Sequence, residues 1–354
     1  HYPLRRQRQM CIRDSIMSTP HTRRRATRIT AAVLTGLCAI SMSACAGSST
    51  EKSSSSSSGP ARTVMSCNEK LTFTSVPKRV IMLGDTDAST MNALGVLNHV
   101  VARAGRIKEG AYDAKTLAKL KAIPTIASQE LNTGGVKVST ETILDQHADL
   151  VIGYDTGVDR DALRKSGVKM YSTDAMCTDK KPPAPATFSQ VKDEVTKVGQ
   201  IFDVPDKAKQ VNKELDAKIS TIQKQTASGA KANAVALYIT PGSTEFYTYG
   251  SSSMIEPMFA ANGLRNMYHS NTTRVFDADM EDLLHKNPEW IVLLAGDGAM
   301  SKVEPTFLSF KGAKELKAVK KGHVVTMSFA LTDPPTPLTI TGTEKLHDLI
   351  KDKK

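Results

Sequence analysis

The sequence predicts an α/β protein of two similar halves, each a mostly parallel sheet dressed with helices, with one long helix between them. Three observations carry this. Short, wholly apolar runs such as Leu150-Val151-Ile152 and Ile291-Val292-Leu293-Leu294 follow helical patterns, as strands covered on both faces do. The blocks also repeat in order. Laying Glu281 on Glu141 places Leu284 on Leu144, Glu289 on Asp149 and Ile291-Val292 on Val151-Ile152. Arg79–Leu83 with Ala93-Leu94-Gly95-Val96 is echoed by Ala234–Tyr238 with Ala261-Asn262-Gly263-Leu264, and Gly167-Val168 by Gly322-His323. Third, Ala208, Val211, Leu215, Ile219 and Ile222 recur in steps of 3 or 4 after Pro205, an apolar stripe on a helix roughly 30 Å long. That length bridges two lobes; the alternative is one more helix packed on the first half.

Of the 354 residues, 40% are apolar, enough for two cores. The formal charge of +11 is concentrated at the start: residues 1–44 hold 8 Lys/Arg and 1 acid, leaving 39 against 35 in the rest. A mildly basic globular protein of that kind gives no case for nucleic acid. Residues 1–16 read as a non-native leader, since Met17 makes a better start. Residues 17–44 read as an export signal. Arg23-Arg24-Arg25 and Arg28 precede an apolar run from Ile29 to Met42 that is too short for a membrane span. Residues 45–66, nearly all serine from Ser48 to Gly59, read as a flexible tether. Of five cysteines, Cys11 and Cys38 fall in the leader and the signal. Cys67 and Cys177 remain in an exported, oxidising setting; a disulfide between them is the simple reading, two buried free thiols the alternative.

The first half, 67–204, opens with Pro77 and a strand at Arg79–Leu83. Gly84–Thr90 is a polar turn entering a helix; Thr86 there can meet an anionic ligand group or, equally, cap the helix as Asp87 can. Val100–Ala104 is a second strand with a basic exit at Arg103 and Arg106, and Ile123–Ile126 a third. Ser139 or Thr140 caps a short helix carrying Ile143, Leu144 and His147, with Glu141 in its first turn, and Leu150–Ile152 is the strand it feeds. Tyr154 lands past that strand's carboxyl end, where open α/β sheets bind ligands. After Pro182–Pro185, Phe188, Val191, Val195 and Val198 stripe a helix ending near Phe202, and 205–230 is the interlobe helix. The second half, 231–354, has a strand at Ala234–Ile239, an aromatic and polar loop at Phe246–Ser253, Phe276 before the second glutamate block, a core Trp290, a strand ending at Phe329, a rigid loop at Asp333–Pro337 and a final helix.

Small residues before Cys45 at the end of an apolar run resemble a bacterial lipoprotein signal, although Met42 stands where leucine is usual. Together with the strand start Pro77-Lys78-Arg79-Val80, the helix end Ala93-Leu94-Gly95-Val96, both glutamate blocks and the long helix, this is similar to the substrate-binding lipoproteins of ABC transporters that bind ferric siderophores, cobalamin and haem. The resemblance covers about Cys67 to Ile350. It implies two Rossmann-like lobes joined by a single long interlobe helix, a class III periplasmic-binding-protein-like arrangement, with ligand in the cleft. It implies acylation at Cys45 and a monomer anchored on the outer face of the bacterial cytoplasmic membrane. The partners are an ABC permease and its separate ATPase, since this chain has no phosphate loop. The family's two permease-docking glutamates fall on Glu141 and Glu281, one per lobe, and give electrostatic register on a two-fold partner; the alternative is that both are simply helix-start acids. Cleft aromatics carry over to Tyr154, Tyr247 and Phe329, with Tyr249 and Phe276 as neighbours, and Arg103 and Arg106 suit acidic siderophore groups.

The implied ligand is a ferric siderophore that brings its own iron, so no cofactor or protein metal ligand is needed; cobalamin and haem are alternatives. The eight histidines form no metal-binding pattern, and His99, His269 and His323 are haem ligands by residue type only. Gly250-Ser251-Ser252-Ser253-Met254 is not a GxSxG elbow, which argues against a hydrolase. A sensor or adhesin lipoprotein would need neither a closed cleft nor a permease.

Overall fold

The computed structural model describes residues 60–131, 135–177, 180–226, 231–296 and 300–353. The leader, the export signal, Cys45 and the serine tract lie outside these residues.

The described chain begins with an antiparallel hairpin, β1 (Arg62–Ser66) and β2 (Glu69–Phe73). The tether therefore ends about five residues earlier than the sequence suggests. Alternation explains it: Val64, Leu71 and Phe73 turn inward and join the core that Val191 and Val195 build. Next come β3 (Val80–Leu83), α1 (Ala88–Leu94), β4 (Val100–Ala104), α2 (Ala114–Ala122), the two-residue strands β5 (Gln129–Glu130) and β6 (Val136–Lys137), α3 (Thr140–Leu144), β7 (Leu150–Gly153), α4 (Arg160–Lys165) and β8 (Lys169–Tyr171). The sheet order is β4-β3-β7-β8, all parallel, and every residue of β3 and β7 is buried. The expected strand Ile123–Ile126 shrinks to one bridge, Arg103 with Thr125, because Pro124 has no N–H to extend a ladder. The helix expected to reach His147 stops at Leu144; His147 has φ 50°, a left-handed turn that no helix continues through.

Two helices follow, α5 (Ser189–Ile201) and α6 (Pro205–Thr226). The second lobe holds β9 (Ala232–Ile239), β10 (Phe246–Tyr249), α7 (Ile255–Ala261), β11 (Leu264–Asn266), β12 (Val275–Ala278), α8 (Met280–Lys286), β13 (Trp290–Ala295), α9 (Met300–Ser309), α10 (Lys317–Lys320), β14 (Val324–Ser328) and α11 (Pro337–Lys351). With 22 residues, α6 is about 33 Å long. All five apolar stripe residues of α6 are buried, and it packs on α5 and α1 of the first lobe and on α7 and α11 of the second.

The order β11-β9-β13-β14 repeats β4-β3-β7-β8, again parallel. The second lobe adds two antiparallel strands. β11 pairs with the first part of β9, Ala232–Ala234, and β10 takes the rest, Leu237–Ile239, with β12 outside it. The duplication extends to single interactions. Asp149 accepts the backbone N–H groups of Lys78 (2.7 Å) and Arg79 (3.1 Å) before β3; Glu289 accepts that of Asn233 (3.1 Å) in β9. Gly95 and Gly263 are left-handed at equivalent helix ends, and so are His147 and Asn287 after the glutamate helices. Trp290 is buried and stacks on His323 with ring centroids 4.3 Å apart. Cys67 and Cys177 are joined by a disulfide (Cα–Cα 5.4 Å) that ties the hairpin to the turn after β8. Arg160 clasps the same junction through Ser66, Glu69, Asp155 and the Met170 carbonyl.

Candidate functional site

In both lobes the parallel strands end at one place, and loops leaving those carboxyl ends wall a cavity of about 420 Å³. From the first lobe come Gly84–Thr86 after β3, Arg106 and Lys108 after β4, Tyr112, Glu130, Gly135 and Tyr154 after β7, and Met176 after β8. From the second come Tyr238 on β9, Tyr247 and Tyr249 on β10, Arg274, the end of β13 at Ala295-Gly296, Phe329 after β14, and Asp333, Pro334 and Thr336. Gly84 turns left-handed (φ 74°), which swings the β3–α1 loop to the cavity edge. A Cβ on Gly135 would lie 2.9 Å from Cδ1 of Tyr154, so this glycine lets the Tyr154 ring lie against the wall.

The aromatic side is organised around Phe329. The Tyr238 ring meets it edge-on at 5.4 Å and the Tyr249 ring is tilted against it at 6.3 Å. Tyr249 is buried, and burial together with the nearby Asp333 carboxylate pushes its phenol well above the usual range, so it stays a neutral hydroxyl. Tyr247 is 42% exposed at the rim.

The charges are largely paired. Asp333, 1% exposed, forms an ion pair with Arg274 and also accepts the Met254 N–H at 3.2 Å. That carboxylate raises the Arg274 guanidinium above its ordinary value. Asp85, also 1% exposed, accepts the Lys108 ammonium (2.7 Å) and the Lys108 N–H (2.6 Å), while its carbonyl accepts the Tyr112 hydroxyl (2.6 Å). Glu130 accepts the Arg106 N–H at 2.9 Å. Two ion pairs, Lys108–Asp85 and Arg274–Asp333, thus sit in a mainly aromatic and aliphatic space, and Glu130 is held by a backbone N–H. Among the described residues no group of three His, Cys, Asp or Glu is placed to hold a metal ion.

Of the residues singled out in the sequence, Thr86, Arg106, Tyr154, Tyr247, Tyr249 and Phe329 line this cavity. Arg103 does not. Its guanidinium bonds the carbonyls of Leu120 (3.2 Å) and Gly105 (2.8 Å), closing the end of α2. Phe276 does not either. It pairs across the ladder with Thr248, out of phase with Tyr247 and Tyr249, and so faces the opposite core, edge-on to Tyr268 at 5.4 Å. Asp85, Lys108, Tyr112, Glu130, Tyr238, Arg274 and Asp333 were not singled out. Arg274 and Asp333 are 59 residues apart and meet only in three dimensions; Tyr238 sits in an apolar strand run that reads as core. Glu141 and Glu281 are exposed in the first turns of α3 and α8, beside caps of the same kind: Ser139 accepts the Thr142 N–H and Asp279 the Asp282 N–H. Cys45 is outside the described residues.

Residues 80–331 match the model of the family described as periplasmic binding protein. The chain is 24% identical over 292 residues, 80% of this chain and 83% of the relative, to the uncharacterized ABC transporter substrate-binding lipoprotein YvrC of Bacillus subtilis (strain 168). A solved structure of an ABC-type Fe3+-hydroxamate transport system from Saccharomonospora viridis DSM 43017 is 34% identical, with a TM-score of 0.75 over 81% of this chain and 97% of that one. The periplasmic heme-binding protein RhuT from Roseiflexus sp. RS-1 shares the fold at 19% identity and a TM-score of 0.62, over 78% of this chain and 98% of that one. That family is one of substrate-binding proteins, not enzymes, and the chain, with two duplicated lobes around one cavity, belongs to it: the periplasmic binding protein family.

Proposed function

We propose that this protein is the lipid-anchored, extracytoplasmic receptor of an ABC importer, and that it captures a ferric siderophore in the interlobe cavity and delivers it to the permease. The observation that carries the ligand class is the cavity's charge balance. Arg274 and Lys108 are already neutralised by Asp333 and Asp85, and Tyr238, Tyr249 and Phe329 make an apolar wall. Such a space suits a bulky chelate of low net charge, as three hydroxamates around Fe3+ make, better than a highly anionic tris-catecholate, which would leave charge buried without partners. The likeness to the hydroxamate-system structure points the same way. The siderophore brings iron as cargo, so the chain supplies walls and a few polar contacts and holds no metal of its own. Glu141 and Glu281, exposed on equivalent helices of the two lobes, are the docking carboxylates of this proposal. The long α6 packed on both lobes supports small closure on binding.

Trp290 stands at the start of β13, five residues before the cavity end of that strand, or roughly 17 Å away. Tryptophan fluorescence would sense a bound solute only weakly from there, so calorimetric titration of the domain from Arg62 onward is the test. Saturable binding of a ferric hydroxamate, with none of its iron-free form and weaker binding of a ferric catecholate, is the expected result. Saturation by haemin with a Soret shift, or by cobalamin alone, would overturn the siderophore reading.

A further inference from the structure

Next to the β3–α1 loop lies a buried polar cluster, of Asp87, Tyr171, Asp174, Glu194 and Lys197, none of which lines the cavity. Asp87 ends this loop at the N-terminus of α1 but makes no side-chain cap bond. Its carboxyl is 1% exposed, and Oδ2 has no hydrogen-bond partner among the described residues. Its acidic neighbour Glu194 on α5 is 3% exposed but well served: the Tyr171 hydroxyl on β8 and the Asp174 N–H (3.2 Å) donate to it, and the Lys197 ammonium lies at 3.0 Å. Asp174 takes Lys197 (3.0 Å) and Lys180 (2.7 Å). α6 and α11, which also pack on α1, contribute apolar side chains such as Leu215, Ile219 and Ile340 to the shared core. Both lysines of the cluster are thus engaged by Asp174 and Glu194, and among the described residues no cation forms an ion pair with Asp87.

We propose that Asp87, facing Glu194, is a proton switch for the β3–α1 loop: protonated, it holds the loop closed against the core, and ionised, it loosens the loop that carries Gly84, Asp85 and Thr86 into the cavity. An ionised Asp87 would be a buried charge with an unpartnered oxygen beside a second carboxylate, whereas the acid form is neutral. Burial, with Glu194 adding to it, pushes the Asp87 carboxyl up to about 7. In the unfolded chain this carboxyl titrates near its ordinary 3.8, so its contribution to folding is greatest in acid, declines as pH rises from about 4, and levels off above about 7. The proton leaves to bulk water. The switch acts on the solute cavity just described, but its test needs no ligand.

The test is backbone hydrogen exchange of the apo domain between pH 5.5 and 8.5, corrected for intrinsic exchange, with thermal melts of wild type, Asp87→Asn and Glu194→Gln alongside. Exchange of residues 83–91 is expected to rise about tenfold between pH 5.5 and 7 in wild type and to level off above, as for roughly one pK unit of differential stabilisation over that interval, and to stay flat in Asp87→Asn. The melting temperature of Asp87→Asn should gain steadily on wild type as pH rises toward 7 and keep a constant lead above it, and Glu194→Gln should move the wild-type midpoint to lower pH. A parallel pH profile for wild type and Asp87→Asn overturns the switch, whatever the ligand proves to be. Failure of siderophore binding with the profiles as expected would instead overturn the ligand reading and leave the switch standing.

Discussion

The Arg274–Asp333 pair joins β12, the loop after β14 and the amide that starts α7, so it couples the second lobe's cavity wall to its core. Replacing Asp333 with alanine strands a guanidinium whose side chain is only 22% exposed and removes the acceptor of the Met254 N–H. Leaving one member of a buried pair uncompensated costs about 3–5 kcal/mol, and an orphaned buried donor about 1–3 more. Against a domain stability of about 5–15 kcal/mol this is a large fraction. The informative series is therefore gentler. Asp333→Asn keeps an acceptor for Met254 and removes the charge; Arg274→Met keeps the stem and removes the cation. Each single variant should lose about 3 kcal/mol in urea unfolding at pH 7. The double variant should recover at least 1.5 kcal/mol relative to their sum, because it leaves no unpaired charge. Additive losses would refute the argument and mean that the two groups are solvated independently.

Three further outcomes are expected. Replacing both Cys67 and Cys177 with serine opens a link that spans 110 positions, and in the chain-entropy model it lowers unfolding stability by about 4–5 kcal/mol, measured under non-reducing denaturation. Gly135→Ala pushes a methyl against the Tyr154 ring and should weaken solute binding roughly tenfold, about 1.4 kcal/mol, with the melting temperature little changed; unchanged affinity would remove Tyr154 from the site. Glu141→Ala with Glu281→Ala should leave the dissociation constant for solute unchanged and cut permease-dependent uptake at least tenfold at physiological salt; undiminished uptake would show that the two carboxylates are only helix-start acids.

The two-lobed plan was legible because its signals are local and repeated. The echoes around Glu141 and Glu281 correspond to the same elements in both lobes, down to Gly95 and Gly263, and Asp149 and Glu289 hold the start of the neighbouring strand in each. The α6 stripe was readable for the same reason: an i, i+3, i+4 pattern needs only its own helix to be recognised. Half of the site was legible too, where aromatics end strands, as Tyr154 and Phe329 do.

What failed locally failed for want of a partner. Phe276 and Tyr249 look alike in sequence; ladder phase sends one to the far core and the other to the cavity. Arg103 and Arg106 are three residues apart, yet the α2 carbonyl claims the first and only the second reaches the cavity. The pairs Arg274–Asp333 and Lys108–Asp85, the burial of Asp87, and the hairpin at Arg62–Phe73 all depend on which surfaces meet after folding. By itself the sequence determined the elements, their order and their duplication, because periodicity and turn chemistry act within a few residues. Only the tertiary structure decided which charges are neutralised and which side chains face the solute, because burial and Coulomb pairing depend on distances in space between residues far apart in the chain.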